Sequence, residues 1–280
     1  MRVFDPALRQ MTEEGLDVFG PAPFQRYIER FSLPSARTWH YVSVDSLDRM
    51  SPELRDAGVM VFRLGRRTGI AGTHFGLAKF KNGWSDFFLD DQKLLSSAER
   101  KSFILGVPSR RLLSFQILPK LTETSLVNLA VGSGILQYAL CMDDVKEHVV
   151  PATGQSTFSF YIFPTQGIET PWDHFHGQVE FDAIFSGMRN DKECLFLVEA
   201  KVGIPNGTLA KHKLCYPLAA LQNQVPSYID IVPIYLKTWP EIDGYHFLIS
   251  ECDFNRNGSI IVSDLNAIKV THLVLHGFGR

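Results

Sequence analysis

Apolar residues recur along this chain in two rhythms, and the rhythms divide it into elements. Period two marks extended segments, because successive strand side chains point to opposite faces; spacings of three and four mark a helix face. "TWHYVSV" (38–44), "GVMVFRLG" (58–65) and "THFGLAKF" (73–80) carry the strand rhythm, and "APFQRYIERF" (22–31) carries the helical one. The pattern turns polar over "DDQKLLSSAERKSF" (90–103), which predicts a boundary between an N-terminal α/β domain, residues 1–103, and a second domain, residues 104–280. There "LLSFQIL" (112–118) reads as a strand, and "LTETSLVNLAVGSGILQYAL" (121–140) as one long buried helix capped by Thr122. Strands are expected at 156–163, 178–186 and 194–201, then a helix within 209–224 that Pro217 must kink or split. Further strands are expected at 230–239, 244–254 and 259–265. The order helix, three strands, helix, strands predicts an α/β (α+β) fold, a mixed sheet flanked by helices.

Composition changes this picture little. A chain of 280 residues has core enough for one large domain or two modest ones. Its four cysteines, Cys141, Cys194, Cys215 and Cys252, are far apart and form no CxxC pair, so neither a zinc knuckle nor a disulfide framework is suggested. They suit a reducing cytoplasm. The opening "MRVFDPALRQMTEEGLD" has charges where a signal peptide needs an apolar run, and "LVNLAVGSGILQYALCM" (126–142) is too short and too polar to span a bilayer. A cytoplasmic protein is the expectation. The "NGT" at 206 and "NGS" at 257 then mark turns.

Charge adds more. A net charge of −2 argues against adhesion to nucleic acid by charge alone. The distribution is uneven: residues 1–125 carry 18 Lys/Arg and 14 Asp/Glu, a balance of +4, and residues 126–280 carry 10 and 16, a balance of −6. Random scatter of surface charge produces such numbers; so does a protein that holds a polyanion with one part and a cation with the other.

The candidate chemistry lies in "GQVEFDAIFSGMRNDKECLFLVEAKVG" (177–203), where acids are embedded in apolar strand runs. An ionised side chain in a dry setting costs several kcal/mol unless it is paired or binds a metal. Alternation puts Val179, Phe181 and Ala183 on one face and Glu180, Asp182 and Ile184 on the other; in the next run Leu195, Leu197, Glu199 and Lys201 share a face. If the two runs pair, Asp182, Glu199 and Lys201 converge at the end of the sheet. Two carboxylates there suit a hard divalent cation such as Mg²⁺. A lysine beside it can hold a water for attack on phosphorus or offset charge in the transition state. The spacing alone is weak evidence, since "AERKS" places Glu99 and Lys101 in the same relation within a polar stretch. A surface Glu–Lys contact on edge strands is the plain alternative.

"VEFDAIF…LFLVEAK", with a helix before and a helix after, resembles the PD-(D/E)xK nuclease superfamily, in particular type II restriction endonucleases, over about residues 105–265. "KLCYPL", "IVPIYLKTW", "FLISECDF" and "SIIVSDL" resemble one restriction-type branch, and "VMVFRLG…THFGLAKF…DFFLDD" resembles the domain preceding the nuclease there. The resemblance implies a restriction-endonuclease-like core, metal binding by Asp182 and Glu199, and a role for Lys201 at the attacking water. It makes Glu123 a candidate accessory acid from the preceding helix, although an acid at a helix start is also explained by the helix dipole. Phe181 stands where a proline precedes the aspartate in many members, Lys213 where the branch often has glutamine, and Glu180 is the substitute for Asp182 if the strand is bulged. Arg63, Arg66, Arg67 and Lys213 are candidate DNA contacts; "GRRTGIAGTH" (65–74) lacks the Gly-Lys-Ser/Thr ending of a phosphate-cradling loop. Asp173, His174 and His176 of "WDHFH" have no further distant ligand and read as a loop beside the sheet.

The expectation is a Mg²⁺-dependent endonuclease that cuts double-stranded DNA as a homodimer. A structure-directed repair nuclease, an inactive DNA-binding module and a non-nuclease enzyme sharing the acidic hairpin remain open.

Overall fold

The computed structural model describes residues 2–33, 37–66, 69, 72–106, 108–143, 149–254 and 258–278. In chain order its helices are α1 (Asp5–Glu13), α2 (Phe24–Arg30), α3 (Thr38–Val42), α4 (Pro52–Asp56), α5 (Asp91–Ser97), α6 (Leu113–Ile117), α7 (Glu123–Gly132), α8 (Ile135–Ala139) and α9 (His212–Leu221). Its strands are β1 (Val18–Pro23), β2 (Val59–Arg63), β3 (His74–Lys79), β4 (Phe88–Asp90), β5 (Arg100–Phe103), β6 (Ala152–Ile162), β7 (Trp172–Arg189), β8 (Lys192–Val202), β9 (Thr208–Ala210), β10 (Asp230–Glu241), β11 (Gly244–Asp253) and β12 (Asn266–His276). The class is mixed α+β.

A seven-stranded sheet in the order β5-β12-β11-β10-β8-β7-β6 organises the molecule. Its contacts are antiparallel except β8–β10 and β5–β12, which are parallel. Parallel neighbours need a crossover, and the segment from β8 to β10 supplies one through α9. That helix covers one face of the sheet together with the three-stranded sheet β1-β3-β2, and α7 and α8 cover the other. The first core mixes Phe62 and Phe75 with Trp172, Leu197, Leu218 and Tyr235, so it runs across the boundary expected at residue 103. Asp91, fully buried on α5, binds the other side of that boundary: its Oδ1 accepts from Tyr235 Oη at 2.7 Å and its Oδ2 lies 3.0 Å from Lys237 Nζ. No helix among the described residues is long and apolar enough to cross a membrane.

Several expected elements differ. "TWHYVSV" is not a strand: residues 38–42 form α3, with Val42 buried and Trp39 facing solvent. "LLSFQIL" forms a 3₁₀ turn and α6; only Leu112 of it is buried, so its apolar residues have no sheet to join. The long helix over 121–140 is two, α7 and α8, broken at Gly134, whose φ of 85° no helix tolerates. "WDHFH" is no loop but the start of β7, with Trp172 and His174 facing the core. "SIIVSDL" ends in a 3₁₀ turn over Val262–Asp264, and the last strand begins at Asn266. Pro217 neither splits nor ends α9; lacking an N–H, it leaves the Lys213 carbonyl without its helical donor.

Candidate active site

The site grows out of the β7–β8 hairpin. Arg189 pairs with Lys192 across a two-residue turn, Asn190-Asp191, in which both residues have positive φ (55° and 59°). That conformation matches the twist of the flanking strands and suits Asn and Asp. It pins the register, so that Ala183 faces Val198 and the ladder then ends. The next positions outward are Asp182 and Glu199. Asp182 closes the ladder with its side chain, Oδ2 accepting the Ala200 N–H at 2.8 Å.

Strict alternation fails in β7 here. Val179 and Phe181 pack on the α9 side, whereas Ala183 and Phe185 pack on the α7 side. Against β6 the register slips between Gly154–Phe181 and Ala152–Ile184, which places an extra residue in β7. The face assignment expected for Val179, Phe181 and Ala183 is corrected accordingly. This bulge is the circumstance in which Glu180 was the substitute acid, yet Asp182 is the carboxylate that meets β8. A bulge re-aims side chains, and it lets Asp182 share the α9 side with Leu197 and Glu199.

Glu199 is the centre of the cluster, with its side chain 4% exposed. Lys201 Nζ lies 2.9 Å from its Oε1, an ion pair on a buried oxygen. Lys213 Nζ, from α9, is 3.7 Å from the same oxygen and 3.9 Å from Glu180 Oε2. Glu123, at the start of α7, stands 3.9 Å from Lys201 Nζ. Thr122 caps that helix as expected, its Oγ1 accepting the Ser125 N–H at 3.2 Å. Burial pushes the Glu199 carboxyl above its ordinary pKa; the Lys213 and Lys201 ammoniums oppose this, and Asp182 adds to it. Burial works against the Lys201 ammonium too, but Glu199, Glu123 and Asp182 outweigh it and raise its pKa. Lys201 is therefore an ammonium ion at neutral pH.

The structure thus brings together Asp182, Glu199, Lys201, Glu123, Glu180 and Lys213. Formally, four carboxylates face two ammoniums, leaving two negative charges uncompensated. Arg63 and Arg66 lie elsewhere. The Arg63 guanidinium donates to Ser43 Oγ at 3.4 Å and its carbonyl accepts from Tyr216 Oη; Arg66 is exposed and its backbone N–H bonds Phe175. Arg67 lies outside the described residues. Sequence reasoning placed Lys213 among DNA contacts rather than beside Glu199; the signal available was its place on the helix after the hairpin. It passed over Lys237, which sits opposite Lys201 in the β8–β10 pairing and is held by Asp91.

Glu241, Asp243 and His246 form a second acidic–histidine group at the β10–β11 turn. Its members are engaged: His246 Nε2 contacts Asp243 Oδ1 at 3.0 Å, Asp243 pairs with Arg100, and Glu241 accepts from Trp239 Nε1 at 2.7 Å.

Fold and site together define an α+β protein with an acidic–lysine cluster on a strand hairpin between two helices. Residues 97–271 match the family described as Domain of unknown function (DUF6997), and the chain belongs to that family. No curated protein and no solved structure matches it.

Proposed function

We propose that this chain is a Mg²⁺-dependent endonuclease of the PD-(D/E)xK type that hydrolyses phosphodiester bonds of double-stranded DNA, as a type II restriction enzyme does. One observation carries the reading. Asp182, Glu199 and Lys201 meet where the central strand pair opens, with the Glu199 carboxylate buried. The order α7, α8, β6, β7, β8, β9, α9, β10, with helices before and after the hairpin, supports a restriction-endonuclease-like core.

The donor chemistry suits a hard cation. The donors are all carboxylate oxygens, and the cluster is two charges short of neutral. Asp182 and Glu199 would hold Mg²⁺, with Glu123 as the accessory acid. Bound there, the cation supplies Lewis acidity toward a phosphoryl oxygen and acidity to a water. The chain's own residues do the rest. Asp182 and Glu199 fix the geometry from adjacent strands; Lys201, charged, orients the attacking water and offsets the charge gathering on the phosphoryl oxygens. The water oxygen bonds to phosphorus, the bond to the leaving oxygen breaks, and that oxygen takes up a proton. Cutting both strands calls for two such sites, so a homodimer on DNA belongs to the reading, as do a cytoplasmic location and contacts from the arginines at 63, 66 and 67.

Plasmid cleavage in Mg²⁺, in EDTA and with Lys201→Ala tests it. Cleavage should need Mg²⁺ and fall by about 10²–10³-fold or more in the variant, the scale for removing one preorganised electrostatic group. Equal cleavage by both proteins would remove Lys201 from the chemistry; no cleavage by either would point to a DNA-binding module without catalysis.

A further inference from the structure

Beside the carboxylate cluster lies a cavity of about 220 Å³. Its floor belongs to α9 and β7, and its far wall to residues 42–45 and Arg63 of the N-terminal part. Glu180 and Lys213 line both this cavity and the shallow cleft over Glu199, so the two spaces share a wall. Whatever fills the cavity is a neighbour of whatever reacts at Glu199. The volume is below the roughly 300–1,000 Å³ of drug-sized sites, on the scale of one flat ring system.

Its chemistry selects the occupant. Asp45 and Glu180 supply two negative charges, Arg63 and Lys213 two positive ones. His212, which also faces the cavity, is uncharged at neutral pH, because burial, then Lys213 and His174, lower its pKa to about 3. The lining is neutral overall, so it offers no net attraction to a phosphate. Val44, Val179 and the Tyr216 ring give apolar walls, while Arg63 donors and the Asp45 and Glu180 acceptors give hydrogen-bonding edges. Glu180 Oε1 already takes a bond from Gln178 at 2.9 Å, and Arg63 gives one of its five N–H donors to Ser43. Apolar faces with donors and acceptors at the rim recognise a neutral heterocycle.

We propose that this cavity receives a nucleobase turned out of the duplex, from a nucleotide flanking the phosphate that is cut. The inference rests on the nuclease reading. Extruding a base costs stacking and pairing, recovered by contacts in such a pocket. Sequence preference then comes partly from this pocket, through the N-terminal residues that form its far wall.

The test uses the full chain with methyl-labelled valines. The four deoxynucleosides and, separately, inorganic phosphate are titrated while the Val42, Val44 and Val179 methyl signals are followed by NMR. At least one deoxynucleoside should shift these signals in a saturable way, phosphate should not, and Ser43→Trp, whose ring fills the cavity from the exposed rim, should abolish the shift. Unchanged Val61 and Val274 signals in that variant would show an intact core. No shift with any deoxynucleoside, the same shift with phosphate, or a response that survives Ser43→Trp would overturn the pocket. Plasmid cleavage by the same wild-type preparation separates the two ideas. Cleavage without a nucleoside response overturns the pocket and leaves the nuclease reading. A response without cleavage overturns the nuclease reading, and with it the assignment to a nucleotide beside a cut phosphate.

Discussion

Glu199 is the residue at which the proposed cation would matter most. A carboxylate with a 4% exposed side chain, beside Asp182, loses hydration, and burial raises its pKa despite the Lys213 and Lys201 ammoniums. A divalent ion bound there should stabilise the folded chain by mass action, about 2.7 kcal/mol at a hundred times its dissociation constant. A thermal melt should therefore shift upward with added Mg²⁺, return with EDTA, and show no shift in Asp182→Ala. Glu180→Gln should keep the shift, because the bulge in β7 turns Asp182, not Glu180, toward β8. A shift lost equally in both variants would return Glu180 to the ligand set.

At the scale of elements, the site depends on short local devices. The Asn190-Asp191 turn sets the register that puts Asp182 beside Glu199, and the Thr122 cap sets the start of α7, and with it Glu123. Thr122→Ala should cost about 1 kcal/mol in urea denaturation. Gly177 is a third such device. A side chain there would collide with the His174 ring, which stacks on Phe160 at 4.3 Å and touches Tyr216. Most of these elements were legible beforehand: helix, three strands, helix, strands, with the Thr122 cap and the polar turn between acidic runs. The misreadings share a cause. "TWHYVSV" and "LLSFQIL" have strand-like residues but sit where no neighbour offers a ladder, and strand preference expresses packing on a sheet more than a backbone habit.

The whole molecule is joined across the boundary expected at residue 103. Asp91, from the polar stretch that suggested the boundary, is buried against Tyr235 and Lys237 of β10, next to the strand that carries Glu199 and Lys201. Asp91→Ala leaves the Lys237 ammonium buried without its carboxylate, and breaking a buried pair in this way costs about 3–5 kcal/mol. Urea denaturation should show that loss in one transition sensed by probes in both halves. Two separate transitions would mean that the halves fold independently. The N-terminal part also forms the far wall of the cavity beside the carboxylates, so its contribution to the site is direct.

By itself the sequence determined most of the local matters: the helices and strands around the hairpin, and which acids lie inside apolar runs. Desolvation makes that second pattern informative, since a carboxylate in such a run must find a partner. Tertiary structure decided which partners. Lys213 arrives at Glu199 from a helix, Glu123 from the opposite side of the sheet, and the bulge that selects Asp182 over Glu180 is a slip of one residue against β6. Periodicity describes a strand alone, whereas register, bulges and helix placement come from what packs on it, and those contacts join residues on different elements.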